Sequence, residues 1–233
     1  MLELLDPDDP AYFPPSEHAL DDPNGLLAVG GDLSPTRLIN AYKRGIFPWY
    51  CDGQPILWWS PDPRCVVIPQ DFRIRRSLRK VLRKGLFTVT FDRAFDAVMA
   101  ACQEPRSYES ETWITPDMRT AYNRLHEMGV AHSVECWHQG ALVGGIYGLA
   151  IGRVFFGESM FHRMTDASKV AFVHLVEQLK LWEYHLIDCQ VTNDHLLSLG
   201  ACEIRRSEFE ALLREHLPEP SFPQPWQLEW HYE

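Results

Sequence analysis

Two polar residues that can hold or pass a proton interrupt the apolar run "LIDCQV" at 186–191. Asp188 is a carboxylate that could act as a base or bind a cation. Gln190 is an amide that donates and accepts at once. A strand alternates its side chains between two faces. Ile187, Cys189 and Val191 then share one face, and Leu186, Asp188 and Gln190 the other. A carboxylate and an amide buried together are costly unless hydrogen-bonded. Taken alone, the segment reads as an edge strand whose polar face lies in water. The alternative is a reactive site, and the neighbouring residues must decide.

A second interruption stands in "RVFFGESMF". Alternation aligns Val154, Phe156, Glu158 and Met160 on one face, with Glu158 breaking an apolar series. The strands 154–161 and 186–191 flank one helix in sequence. If they lie side by side, Glu158 can reach Gln190 or Asp188. Two such interruptions on adjacent strands favour a site over two accidents. Met160, Ile187, Phe172 and Leu175 could line an apolar pocket beside it, or be ordinary core. His185, Asp188, Cys189 and His195 are close in sequence, but alternation sets Cys189 opposite Asp188 and the spacing is not zinc-like. No metal is expected.

These residues need elements to position them. "DASKVAFVHLVEQLKLW" reads as the helix between the two strands. Before it, "AHSVECW", "ALVGGIYGLA" and "RVFFGESMF" are joined by links of three and two residues, which makes an antiparallel meander. After it come a short helix ending at Gly200, the strand "ACEI" and a helix from about Ser207. Upstream, "LFTVTF" reads as a strand and Asp92 as the cap of a helix through "RAFDAVMAAC". Thr115 and Pro116 open a helix that Gly129 stops, and Ser34 and Pro35 open one that Gly45 stops. Residues 1–62, rich in Pro and Gly, suggest a small N-terminal α/β domain, with a larger α+β domain over 63–233.

Composition narrows the classes. The N-terminus is acidic and proline-rich, unlike a signal peptide, and no stretch approaches a membrane span. A soluble cytoplasmic protein is expected. Six cysteines without a C-x-x-C pair read as free thiols. Net charge is −10, against indiscriminate nucleic-acid binding. Yet "RIRRSLRKVLRK", 73–84, holds seven of the 22 basic residues and no acid, leaving 15 basic against 32 acidic elsewhere, or −17. Ile74, Leu78, Val81 and Leu82 share one helical face, while Arg76, Lys80, Arg83 and Lys84 mostly project elsewhere. Such a face is either simply solvated or binds phosphates.

Meander, helix, strand, helix looks like the GNAT acyltransferase core. In that fold a Gly-rich turn holds the coenzyme A pyrophosphate. The corresponding "ESMFHRMTDASK" has no glycine, which disfavours an acetyltransferase using coenzyme A. A non-catalytic RNA-binding module, built on the basic helix and the tryptophans, would leave Glu158, Asp188 and Gln190 unexplained. The resemblance becomes specific in "PNGLLAVGGDLSPTRLINAYKRGIFPW", "PILWWSPDPR", "TWIT", "AYNRLHEMGVAHSVE", "LVGGIYGLAIGRVFFGESMF", "ASKVAF" and "LIDCQVTNDHLLSLGACEI". In that order, over nearly the whole chain, they resemble the bacterial leucyl/phenylalanyl-tRNA–protein transferases. The first dozen and last twenty residues match most poorly.

The resemblance implies transfer of Leu or Phe, less readily Met, from aminoacyl-tRNA to proteins with N-terminal Arg or Lys. The product would carry a signal for the bacterial N-degron route. It also implies a GNAT-like C-terminal domain, an unrelated small N-terminal domain, no cofactor and no metal. A monomer is expected, since the family demands no partner subunit. By position, Trp49 and Trp113 would hold the terminal adenosine. Met160 and Ile187, with Phe172 and Leu175, would form the amino-acid pocket. Residue 146 is Ile where relatives can carry Met. On that chemistry Asp188 would orient and deprotonate the acceptor amine, directly or through Gln190. Gln190 would align the reacting groups and stabilise charge at the carbonyl. Glu158 would fix the Gln190 amide, or with Asp188 attract the cationic acceptor.

Overall fold

The computed structural model describes residues 2–104, 113–221 and 225–232. Of the quoted stretches, Thr112 in "TWIT" lies outside the described residues. The chain opens with β1 (Glu3–Leu5), β2 (Leu26–Gly30), α1 (Pro35–Lys43), β3 (Phe47–Pro48) and β4 (Leu57–Trp59). These strands form a four-stranded sheet in the order β1-β2-β4-β3. Ser34 caps α1 by accepting from the Arg37 amide at 3.3 Å, and Gly45 ends the turn beyond it at a φ of 73°. A Cβ there would stand 2.8 Å from the Phe209 ring, so both the φ and the close packing select glycine.

The remaining elements are β5 (Arg64–Val67), α2 (Arg76–Arg83), β6 (Thr88–Phe91), α3 (Phe95–Gln103), α4 (Pro116–Glu127), β7 (Ala131–His138), β8 (Ala141–Ile151) and β9 (Val154–His162). They are followed by α5 (Ala167–Leu181), β10 (Leu186–Gln190), α6 (Asp194–Leu199), β11 (Cys202–Ile204) and α7 (Arg206–His216). A seven-stranded sheet runs β11-β5-β10-β9-β8-β7-β6. The expected meander is β7-β8-β9, antiparallel throughout. The mixed sheet and its helices are an α+β arrangement. Each sheet face is apolar. One face packs with α1, α3, α4 and α7 in a cluster containing Trp58, Tyr42, Tyr122 and Phe156, and the other packs α5 and its neighbours around Phe155, Phe172 and Leu175.

Two local expectations are corrected. The strand at 186–190 is not at an edge. It lies between β5 and β9, parallel to β9 as a β-α-β unit through α5, and Asp188 is fully buried. The signal for an edge strand is a polar face, but that face meets a buried cation instead of water. Asp92 does not cap α3 either. Its side chain accepts from the Ser133 amide at 2.8 Å and pairs with His132 at 2.7 Å, and α3 begins after Ala94 without a side-chain cap. Cross-strand partners outcompete the local cap. Thr115 does cap α4, accepting from the Met118 amide at 3.2 Å, and none of the six cysteines is in a disulfide.

Candidate active site

Strands β9 and β10 pair over three residues only, Val154–Phe156 against Leu186–Asp188. Past that point both strands bulge. On β9, Ser159 faces Tyr147 and Gly157 faces Gly148, so Glu158 has no partner in the ladder. On β10, Asp188 faces Val66 and Gln190 faces Cys65, which leaves Cys189 as the extra residue. Gln190 takes a left-handed φ of 57°. Gly148 makes the first bulge possible: a Cβ there would stand 2.2 Å from the Phe156 carbonyl oxygen. A bulge re-aims the side chains around it. The strands part, and Glu158 and Gln190 meet across the gap, the Gln190 amide donating to Glu158 Oε1 at 3.1 Å.

The β9 bulge also corrects the alternation. Val154, Phe156 and Glu158 do share a face, with Phe156 packed on Tyr42. Past Glu158 the parity flips. Phe161 joins their cluster, and Met160 turns to the opposite one, beside α5.

Glu158 lies in a ring of hydroxyls. Tyr42, from α1, donates to Oε1 at 2.7 Å, and the Tyr122 hydroxyl, from α4, is hydrogen-bonded to Oε2 at 3.2 Å. The two hydroxyls are also hydrogen-bonded to each other. Burial pushes the Glu158 carboxyl up to about 8; hydrogen bonds from the tyrosines oppose this, Asp188 adds to it and Arg64 relieves it. Burial, with the Glu158 charge second, pushes both phenols well above their usual range.

Asp188 is held from behind. The Arg64 guanidinium donates from Nε to Oδ1 at 2.8 Å and from Nη2 to Oδ2 at 2.7 Å, a bidentate pair in which both side chains are fully buried. Arg64 Nη1 donates to the Gly45 carbonyl at 2.9 Å, and the guanidinium lies over the rings of Phe47 and Phe209. Every charge is therefore met by an opposite charge, a dipole or a π-face. Asp188 Oδ1 also accepts from the Gln190 backbone amide at 2.9 Å, which fixes the left-handed turn. Asp188 is fully enclosed, and its link towards the gap runs through the Gln190 backbone amide. One Gln190 N–H is given to Glu158, and the side chain's carbonyl oxygen is its acceptor.

The pocket candidates fall in one cluster. Ile146, Phe172, Leu175 and Ile187 are buried against one another, and Met160 is half-buried at their margin with Cys189. Most of their surface is thus core, and Met160 is the member with accessible surface. Trp49 is 43 % exposed and packs against Trp59, while Trp113 is half-buried. Their segments adjoin: the Tyr50 and Thr115 hydroxyls are 3.3 Å apart, and the Thr115 amide donates to the Trp113 carbonyl. On α2, Leu78 is buried and Arg76, Lys80, Arg83 and Lys84 are all exposed. Beside α2, a cavity of about 220 Å³ is lined in part by Arg73, Arg75, Lys169 and Ser198. His185 lies at the other end of β10, stacked on His216 beside Glu219, away from Asp188.

Sequence reasoning misses Arg64, Tyr42 and Tyr122. Arg64 carries the same signal as Asp188, a lone charge opening the apolar run "RCVVI". The tyrosines occupy apolar-face positions of α1 and α4, where a buried hydroxyl requires a partner.

Family models match two parts of the chain: the N-terminal domain of leucyl/phenylalanyl-tRNA protein transferase over residues 31–62, and the leucyl/phenylalanyl-tRNA protein transferase model over 66–214. The chain is 58 % identical over 227 residues to the leucyl/phenylalanyl-tRNA–protein transferase of Methylococcus capsulatus, covering 97 % of each. It is 60 % identical over 221 residues to that of Stutzerimonas stutzeri, covering 95 % of this chain and 97 % of the relative. A GCN5-related N-acetyltransferase from Kribbella flavida overlaps 72 % of this chain and 60 % of its own at a TM-score of 0.36 and 13 % identity, too loosely to bear on the fold.

Proposed function

This chain belongs to the leucyl/phenylalanyl-tRNA–protein transferase family and is an aminoacyltransferase; from that premise we propose that it moves Leu or Phe, and less readily Met, from aminoacyl-tRNA to the α-amine of proteins that begin with Arg or Lys. The product is an N-degron, and the setting is the cytoplasm. In this reading residues 63–233 are a GNAT-type acyltransferase core, residues 1–62 a small added domain, and the protein a monomer without cofactor.

The donor is an ester and the nucleophile an amine whose ordinary pKa, roughly 7.7–8.0, leaves a useful neutral fraction at pH 7. The amine nitrogen bonds to the ester carbonyl carbon, and an oxyanion develops. The ester C–O bond then breaks, and the ribose hydroxyl leaves with the proton the amine gives up. The Gln190 carbonyl oxygen accepts from the amine and aligns it. Asp188 acts through the Gln190 backbone, and Glu158 through its amide. Trp49 and Trp113 hold the terminal adenosine by stacking. Met160, with Ile146, Ile187, Phe172 and Leu175 behind it, meets the amino-acid side chain. Arg76, Lys80, Arg83 and Lys84 hold tRNA phosphates.

The observation that carries the reading is the Gln190–Glu158 hydrogen bond across the gap, backed by the buried Asp188–Arg64 pair. The test offers leucyl-tRNA or acetyl-coenzyme A with a peptide beginning in Arg and measures product mass. A gain of one leucine residue supports the proposal. A gain of one acetyl group, or no product, sinks it.

A further inference from the structure

Three oxygen-bearing side chains, from α1, α4 and β9, are mutually hydrogen-bonded, and the protons available can be counted. The contacts are Tyr42 to Glu158 Oε1 at 2.7 Å, Tyr122 to Oε2 at 3.2 Å, and Tyr42 to Tyr122. Three hydrogen bonds need three protons, and two phenols supply two. We infer that the third is a carboxyl proton: at neutral pH Glu158 is a neutral acid, and Tyr42 and Tyr122 are positioning residues that set its polarity and, through it, the Gln190 amide. The cycle closes in one sense. The Glu158 Oε2 hydroxyl donates to Tyr122, Tyr122 donates to Tyr42, and Tyr42 donates to Oε1. Oε1 then remains a carbonyl oxygen, the acceptor that the Gln190 amide requires.

Removing the carboxyl proton breaks the cycle. Either the two phenol oxygens face each other without a shared proton, or one phenol bonds the other and the carboxylate loses a donor. Burial makes either choice expensive. The other groups around Glu158 do not offset this. Asp188 on β10 repels a second negative charge, and Arg64 on β5 already spends two of its three nitrogens on Asp188. Tyr147 on β8 lies near Glu158 and Tyr122, and among the described residues its buried hydroxyl has no hydrogen-bond partner. The carboxyl's rise to about 8, driven first by burial, agrees with this count.

The consequence for chemistry rests on the proposed transfer. A neutral acid accepts from Gln190 without placing a full negative charge beside the developing oxyanion, whereas a carboxylate opposes that oxyanion. Rising pH therefore has two opposite effects. The acceptor amine becomes neutral and faster, and Glu158 becomes charged and slower. Tyr42 lies in the N-terminal part of the chain, so that part contributes to the chemistry as well as to any grip on donor.

The proton can be measured without substrate. Infrared difference spectra of the whole protein between pH 6 and 10 should show a carboxylic-acid band at pH 7 that disappears in Glu158→Gln. Tyr42→Phe and Tyr122→Phe each open the cycle that holds the carboxyl proton and should shift the band's titration. The kinetic arm uses single-turnover rates with an aminoacylated adenosine and an Arg-initiated peptide. Above the titration point the wild-type rate should fall by about tenfold per pH unit, as for loss of one essential proton. Glu158→Gln keeps the same donor and acceptor pattern as the neutral acid. It should lower the rate less than Glu158→Ala and abolish the alkaline fall. Absence of the band at pH 7, or an alkaline fall that survives in Glu158→Gln, overturns the inference. If Glu158→Gln does not fold, the tyrosine variants decide, since a band and a fall that stay put in both are equally fatal. A band without any transfer product would refute the proposed reaction and leave the proton assignment standing.

Discussion

The gap between β9 and β10 and the outer face of α2 both gather ionisable groups, and they are built in opposite ways. In the gap every ionisable group has fixed partners: fully buried Asp188 with Arg64, and half-buried Glu158 with two phenols and an amide. On α2, Arg76, Lys80, Arg83 and Lys84 are exposed, no acid stands in the helix, and among the described residues none of the four is ion-paired. Partnered buried charges hold atoms to fractions of an ångström and alter proton affinity. Unpartnered exposed charges are screened over about 10 Å and attract any polyanion. The first arrangement suits chemistry on a small group, and the second suits holding a large substrate.

The sharpest way to break that contrast is at Asp188. Asp188→Ala leaves Arg64 buried without its counter-charge and frees the Gln190 backbone. Single-turnover rate should fall by about 10²- to 10⁴-fold, the range for removal of a catalytic group, with tRNA affinity changed far less. Wild-type turnover in that variant would remove Asp188 from the site. Because removing one partner of a buried pair typically costs about 3–5 kcal/mol of stability, Asp188→Asn is the control. It should fold better and still be slow.

The reverse pattern is expected from the fourfold Gln variant of Arg76, Lys80, Arg83 and Lys84. Their side chains lie off the buried Leu78 stripe, so the fold should persist. Each phosphate left without its cation should flatten the log–log salt dependence of tRNA binding by nearly one for duplex and about 0.7 for single strand. Leu- and Phe-carrying tRNAs should suffer alike, since phosphate contacts do not read sequence. An aminoacylated adenosine lacks the stem phosphates and should react almost normally. Equal losses with whole tRNA and the minimal donor would erase the distinction between the two regions.

Stability against pH separates them further. The Glu158 carboxyl titrates at about 8 in the folded chain against an ordinary 4.5. The folded state therefore keeps a proton that the unfolded chain loses. Its contribution is complete below pH 4.5 and is lost as pH rises towards 8. Melting temperature should decline from pH 5 to 8 in the wild type and decline less in Glu158→Gln, a difference on the order of a few kcal/mol in free energy. The α2 variant should follow the wild-type curve. A parallel decline in Glu158→Gln would place the titration elsewhere; Glu135, also raised by burial, is the nearest alternative.

How much of this is legible in the sequence follows from how local each feature is. The caps at Ser34 and Thr115, the meander and the stripe of α2 depend on residues within a few positions of one another, and each is readable. Asp188, Gln190 and Glu158 are visible as interruptions of an apolar pattern. Their partners are not, because Arg64 is 124 residues from Asp188 and Tyr42 is 116 from Glu158. The two bulges are invisible too. A period of two presupposes an unbroken ladder, so it sets Met160 on the wrong face; Asp188 reads as solvated because its buried cation is remote in sequence.

Met160 carries the smallest expected effect and the finest test of the gap. Of the pocket candidates it alone is half-buried, while Phe172, Leu175 and Ile187 are closed in the core. Truncating a closed residue would cost stability first and tell little about selectivity. Met160→Ala instead removes flexible volume at the margin of the cluster, next to where the strands part. A hydrophobic pocket discriminates by roughly 1–3 kcal/mol per methylene. A partly exposed side chain should deliver the low end, about tenfold in the Leu-to-Phe ratio of kcat/KM. Phe, the larger donor side chain, should gain relative to Leu. Salt dependence of tRNA binding should be untouched, since every cation of α2 remains. An unchanged ratio in a folded variant would make Met160 core like its neighbours and move the amino-acid pocket away from this end of β9.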